Sequence, residues 1–254
     1  MSMNPFSWLG LLGRGLLPHA CQLCRAPLDW PDAGVERFCL AGFFCPVCAK
    51  DLSILVPPFC GICGLPFEAG EGEHVCGHCL AHPPAFQMAR AACHFEGNLM
   101  DIIHRLKYQG RTELAAPLGR MMAITFEQYF PVIPHRVLPV PMTDKALRKR
   151  GFNQAILLAK AFMDAMGWQS GSGPVLDVKS LVRLRDGLSQ TGLGRTGRRA
   201  NVRGAFGLRA SVTGENIVLV DDVFTTGATV DACSRALVRA GALSVSVLTA
   251  GHRP

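Results

Sequence analysis

Apolar residues follow two regimes along the 254-residue chain. From about residue 89 onward, short apolar runs alternate with stretches in which apolar positions recur at helical spacing. ARAACHF (89–95) reads as a strand, followed by a turn at Gly97 and a helical pattern through NLMDIIHRLKYQG. Leu114, Leu118, Met121, Met122 and Phe126 place one apolar stripe on a helix over 113–130. RVLPVPM (136–142) reads as a buried parallel strand, and FNQAILLAKAFMDAM (152–166) as a helix that Gly167 ends. NIVLV (216–220) predicts a strand, ATVDACSRALVRAG (228–241) a helix closed by glycine, and LSVSVLTAG a last strand. Strands separated by helices predict a doubly wound α/β domain around a mostly parallel sheet.

The first 80 residues lack that rhythm. Their punctuation is cysteine: four C-x-x-C pairs, Cys21/Cys24, Cys45/Cys48, Cys60/Cys63 and Cys76/Cys79, take eight of the chain's 11 cysteines. C-x-x-C sets two thiolates on one tight turn, the knuckle that tetrahedral zinc needs. Sequential pairing gives two Cys₄ sites; a cross-braced arrangement satisfies the same spacing, and Cys39 is a spare thiol that could replace Cys45. About two structural zinc ions are expected, with no open coordination position for catalysis. Such a segment is not expected to build a hydrophobic core of its own, so metal would supply the folding energy. The predicted organisation is an N-terminal arm or helix over 1–19, a double zinc ribbon over 20–85 and an α/β domain over 86–254. The ribbon and the α/β domain are expected to have separate cores, so that losing Cys60 and Cys63 would spare the second.

Charge divides along the same line. The formal charge is +7 (26 basic against 19 acidic), made of 5 − 7 = −2 over residues 1–90 and 21 − 12 = +9 over 91–254. A basic main body suits an anionic partner such as phosphates or nucleic acid. No apolar run approaches the ~20 residues of a membrane span, and the first 21 residues lack a basic n-region and an A-x-A-like cleavage site. A cytoplasmic protein is expected.

The chemistry concentrates in VLVDDVFTTGAT (218–229). In parallel sheets ligands bind beyond the carboxyl ends of the strands, which is where this pattern places Asp221 and Asp222. Thr225, Thr226, Gly227, Ala228 and Thr229 then form a turn of backbone N–H groups and hydroxyls opening a helix, a ready phosphate cradle. Two carboxylates beside a phosphate cradle suit ribose 5-phosphate, whose hydroxyls they would accept from directly or through Mg²⁺.

This stretch resembles the 5-phosphoribosyl-1-pyrophosphate (PRPP) signature of type I phosphoribosyltransferases. With the cysteine-rich start, LKYQGRTELAAPLG (106–119), RKRGFNQA (148–155) and LSQTGLGRTGRRANVRGAF (188–206), the whole chain is similar to the ComF/ComFC/GntX family. The resemblance implies a type I phosphoribosyltransferase-like domain behind a double zinc ribbon, binding PRPP with Mg²⁺ and transferring ribose 5-phosphate to an acceptor, in a protein linked to natural transformation. It implies that Arg148, Lys149 and Arg150 hold pyrophosphate, and that Arg195, Arg198 and Arg199 belong to a loop that closes over PRPP. Lys107, Tyr108 and Arg111 are further candidates. Thr225 stands where 6-oxopurine enzymes carry aspartate, which speaks against such a base. The other reading is a non-catalytic module on the same fold that binds single-stranded DNA or a competence helicase.

Overall fold

The computed structural model describes residues 20–28, 40, 42–67, 74–168, 173–184 and 204–253. By packing, these fall into two compact units, one over 1–51 and one over 52–254.

The smaller unit is a cysteine knuckle. Cys21 N–H donates to the Ala26 carbonyl and Arg25 N–H to that of Cys21, with a bridge between Ala20 and Pro27. A short helix, α1 (Pro46–Lys50), starts on Cys45. The larger unit opens with the same motif. Phe59 bridges Pro66, Cys60 N–H donates to Leu65, Gly64 N–H donates to Cys60, and α2 (Gly77–Ala81) starts on Cys76. Arg25 and Gly64 occupy equivalent positions, and both have left-handed φ, 66° and 69°. Glycine is required at the second: a Cβ there would lie 2.7 Å from the Ala89 carbonyl oxygen.

That close approach docks the second knuckle onto the first strand of the sheet. β1 (Met88–His94) receives it through Ala89 N–H to Ile62 at 2.6 Å, while Arg90 donates to the Gly61 and Ala89 carbonyls and lies over the Phe59 ring at 4.6 Å. Cys60, Cys63, Cys76 and Cys79 belong to one buried cluster with Phe86, Leu138, Leu219 and Phe224. The second cysteine module is therefore part of the α/β core, which corrects the expectation of separate cores. Spacing identifies ligands for a metal but not the surface against which the resulting knuckle packs.

β1 leads to α3 (Gly97–Tyr108), a 3₁₀ turn (Thr112–Leu114) and α4 (Ala115–Tyr129). β2 (Arg136–Pro139), α5 (Asp144–Arg150), α6 (Gln154–Ala165) and β3 (Val175–Leu176) follow. β4 (Leu181–Arg183) and β5 (Phe206–Leu208) form an antiparallel ribbon; β6 (Asn216–Phe224), α7 (Ala228–Arg239) and β7 (Ser244–His252) close the chain. The five-stranded sheet has the order β1-β7-β6-β2-β3 with every pair parallel. This is the predicted doubly wound arrangement. α4 crosses α6 so closely that a Cβ on Gly119 would lie 2.4 Å from the Ala161 backbone. On the other face Ile217 and Leu219 pack with Ala236 and Leu237 of α7. Arg136 ties the far edge of the sheet together, meeting both Glu215 oxygens at 2.6 and 2.7 Å and Asp177 at 2.6 Å.

A Cys60→Ser/Cys63→Ser protein should lose several kcal/mol across the whole 52–254 unit, out of the ~5–15 kcal/mol that usually holds a domain together. Far-UV and Trp168 fluorescence melts should shift together. A main transition left in place while only the 60–79 segment melts would contradict the shared core.

Candidate ligand site at the carboxyl edge of the sheet

The chain leaves β2 toward β3 on one side and leaves β6 toward β7 on the other, so the sheet's topological switch lies between β2 and β6. Crevices for ligands open at such points. Asp221 and Asp222 stand there, inside β6 rather than after it. Successive residues of a strand point to opposite faces, so the two carboxylates diverge. Asp222, 5% exposed, forms an ion pair with Lys107 near the end of α3. Asp221 points to the α7 side, where its charge reaches Cys233, and its Oδ1 accepts Asp222 N–H at 2.9 Å.

Burial pushes the Asp221 carboxyl up from 3.8 to about 7, with the Lys107 charge opposing it. Burial also draws Lys107 down from 10.5 to about 8, an effect offset by Asp221 and reinforced by Arg150. Two adjacent aspartates are thus tolerated because one is matched by a lysine and the other holds its proton into the neutral range.

The residues expected to cradle phosphate form a turn. Gly227, at φ 71°, is the N-cap of α7, and Thr226 Oγ1 accepts Ala228 N–H at 3.4 Å. A Cβ at Gly227 would meet the Phe224 ring at 2.7 Å. Thr225 is exposed, with Ala228 buried behind it. The turn and Thr229 therefore sit at the open end of a 12-residue helix, as the sequence placed them.

Arg148, Lys149 and Arg150, expected to hold pyrophosphate, lie on a helix. They form the last turn of α5, capped at its start by Thr143 and at its end by Gly151 in the left-handed region. The helix dipole favours cations there, so their presence needs no bound anion. Arg150 lies over the Tyr108 ring at 5.4 Å, donates to Gln154, and its charge reaches Lys107. Arg148 and Lys149 are exposed. Arg195, Arg198 and Arg199, with the expected closing loop, lie outside the described residues. So do the arm over 1–19 and Cys39. Lys107, one of the further candidates, is the residue that pairs with Asp222. Its signal was the KY pair at the end of an otherwise amphipathic helix.

Both cysteine quartets assemble sequentially, Cys21/Cys24/Cys45/Cys48 and Cys60/Cys63/Cys76/Cys79, with all ligand atoms of each within 4.8 Å of one another. Zn–S bonds of ~2.3 Å in a tetrahedron require sulfurs about 3.8 Å apart. Cys24 and Cys45 are 3.6 Å apart, Cys63 and Cys76 3.7 Å. The residues fit structural zinc. Burial raises the Cys79 thiol to about 12; at Cys60 it is outweighed by backbone N–H groups of Cys76 and Cys63, which bring that thiol down to about 7. Among described residues no helix is long and apolar enough to cross a membrane.

A cavity of about 570 Å³, its open mouth included, separates the second cysteine quartet from the Thr225–Ala228 turn. Its floor is His252, the last residue of β7, stacked on Phe224 at 5.0 Å and 15°. The sequence reading ended the strand at Gly251 and overlooked it.

Residues 12–80 match the double zinc ribbon domain family. The chain is 33% identical over 237 residues to the DNA utilization protein YhgH of Salmonella typhi, covering 91% of this chain and 96% of that one. It is 28% identical over 238 residues to competence protein F of Haemophilus influenzae (89% and 94% covered) and 27% identical over 250 residues to competence protein ComFC of Bacillus subtilis (93% and 96%). Similar solved structures include TT1426 from Thermus thermophilus (16% identity, TM-score 0.32, covering 53% of this chain and 72% of that one). A purine phosphoribosyltransferase from Pyrococcus horikoshii is similar at 13% identity and TM-score 0.32, over 54% of this chain and 80% of that one.

A carboxyl whose folded pKa lies above its unfolded value favours folding most below about pH 4, and the contribution fades as pH rises through about 7. His252, drawn down to about 4 by burial, tilts the window the other way. The informative quantity is therefore the difference between parent and Asp221→Asn. In urea melts without divalent cation, the variant should gain on the parent steadily from about pH 5 to about 7.5. A pH-independent difference would contradict a carboxyl that holds its proton into the neutral range.

Proposed function

The chain belongs to the ComF/ComFC family, and from that premise we propose that it binds Mg²⁺–PRPP and acts on its ribose 5-phosphate. The observation that carries this reading is the convergence, at one switch point, of the acid pair Asp221/Asp222, the cations Lys107 and Arg150, and the glycine-bearing turn at the start of α7.

In this reading the N–H groups and hydroxyls of Thr225–Thr229 take the 5′-phosphate, with the α7 dipole favouring its charge. Asp222 and Asp221 accept hydrogen bonds from the ribose hydroxyls. Lys107 is a place-holder in the free protein: its ammonium balances Asp222 until the ligand arrives, then turns with Arg150 toward the pyrophosphate. Mg²⁺ enters as part of the substrate, since it keeps several waters and binds through phosphates and one or two carboxylates. Transfer forms a bond from C1 of the ribose to the acceptor, breaks the bond from C1 to the pyrophosphate oxygen, and releases pyrophosphate while the acceptor loses a proton to solvent. Positive charge builds on the ribose as that bond breaks, and the carboxylates beneath it stabilise that charge. A role in competence or DNA use, as the relatives' names carry, is proposed for this chain as the setting of that chemistry.

Calorimetry with Mg²⁺–PRPP tests this. A charge-assisted hydrogen bond is worth about 1.5–3 kcal/mol, so Asp222→Asn should weaken binding on the order of tenfold to a hundredfold. Asp221→Asn/Asp222→Asn should reach up to about a thousandfold. Parental affinity in the double variant would end the phosphoribosyl reading and favour a single-stranded DNA module instead.

A further inference from the structure

We propose that the first cysteine quartet, Cys21/Cys24/Cys45/Cys48, is a peroxide-sensitive zinc switch, in which oxidation joins Cys24 to Cys45 and releases the metal while the second quartet keeps its own. Nothing in this switch depends on whether the α/β body binds PRPP.

The two quartets differ in access. Cys24 and Cys63 hold the same place in their knuckles, one residue before the left-handed positions Arg25 and Gly64. Cys63 is 9% exposed, and Cys60, Cys76 and Cys79 are buried with it. Cys24 is exposed. The following residue differs in the same sense. Gly64 lets its knuckle press against the Ala89 carbonyl and join the α/β core, whereas Arg25 carries a full side chain and is itself exposed.

Sulfur spacing does not separate the two, at 3.6 Å for Cys24–Cys45 and 3.7 Å for Cys63–Cys76. Either pair could close to the ~2.05 Å of a disulfide by a small movement, so access decides which one an oxidant finds. Zinc keeps a coordinating thiol deprotonated. A solvent-accessible thiolate with a second thiol beside it is the arrangement that oxidation selects. The second quartet is also anchored. Cys60 Sγ accepts the N–H groups of Cys63 at 3.5 Å and Cys76 at 3.3 Å, and Ala89 and Arg90 fasten that knuckle to β1.

Hydrogen peroxide is the oxidant. The Cys24 thiolate attacks one peroxide oxygen, the O–O bond breaks and hydroxide leaves, giving a sulfenic acid. The Cys45 thiolate then attacks that sulfur, the S–O bond breaks and a second hydroxide leaves. Two solvent protons turn both hydroxides into water, and the two sulfurs have given two electrons to the peroxide. Cys21 and Cys48 remain as two ligands where structural zinc takes four, so the metal is lost. Most of what holds the 1–51 unit goes with it, because its described buried apolar side chains besides cysteine are Leu23, Leu40 and Phe44. The 52–254 unit keeps its sheet and its own quartet.

The test adds hydrogen peroxide to the zinc-loaded full chain and follows released zinc with a chromogenic chelator. One zinc per chain should leave at least about tenfold faster than the other. Peptide mapping at that stage should find a Cys24–Cys45 disulfide, with Cys60, Cys63, Cys76 and Cys79 still reduced. Hydrogen exchange should rise over residues 20–28 and 43–50 while β6 and β7 keep their protection, and a thiol reductant with added zinc should reverse both changes. Cys24→His keeps four zinc ligands but removes the accessible thiolate. It should hold both metals and slow the first release at least about tenfold. No zinc loss, loss from both quartets at one rate, or oxidation of the second quartet first overturns the switch. So does unchanged peroxide sensitivity in a Cys24→His protein that holds both metals; if that variant holds only one, the parental release rates and the mapped disulfide decide.

Discussion

Close contact between a cysteine knuckle and a β-strand governs the geometry of the larger unit. Gly64 has no Cβ, so the knuckle approaches the Ala89 carbonyl, and Arg90 and the Ala89 amide then fasten it to β1. The four buried thiols of Cys60, Cys63, Cys76 and Cys79 face one another at metal-binding distance. Without a cation they would crowd ionisable sulfur into a low-dielectric core, so zinc at this position contributes to folding of the α/β body itself. The same docking holds three of those cysteines across from the Thr225–Ala228 turn. A metal centre that performs no chemistry therefore shapes the place where chemistry is proposed.

Charge balance at the end of β6 is the second constraint. Adjacent acids on a strand diverge to opposite faces, and each face answers differently: a lysine on one side, protonation through burial on the other. In the free protein Lys107 thus balances Asp222. A phosphorylated sugar accompanied by Mg²⁺ brings both the hydroxyls that carboxylates accept from and the anionic groups that Lys107 and Arg150 match.

Much of this architecture is legible in the sequence because it is periodic. Leu99, Ile102, Ile103 and Leu106 recur at helical spacing and are buried together, and NIVLV is a strand by its composition. The cysteine pairs revealed their metal through spacing alone. What was missed depends on tertiary placement. Residues 144–150 form a short, largely charged helix with no buried residue, so no apolar stripe marked it. The β4–β5 ribbon is two three-residue strands whose partners lie far apart in sequence. The pairing of Lys107 with Asp222 joins residues 115 apart, and no local pattern encodes it. His252 was not singled out in the sequence, whereas the sheet buries it beside Phe224.

The central claim is that one ligand, a phosphorylated ribose with Mg²⁺, uses the acid pair and the turn together. A crystal structure grown with saturating Mg²⁺–PRPP tests it most directly. The account predicts the 5′-phosphate on the amides of Thr225–Thr229, the ribose hydroxyls at Asp221 and Asp222, and Lys107 withdrawn from Asp222. A fully folded, zinc-loaded protein whose turn and acid pair hold no phosphosugar at saturating concentration would contradict it.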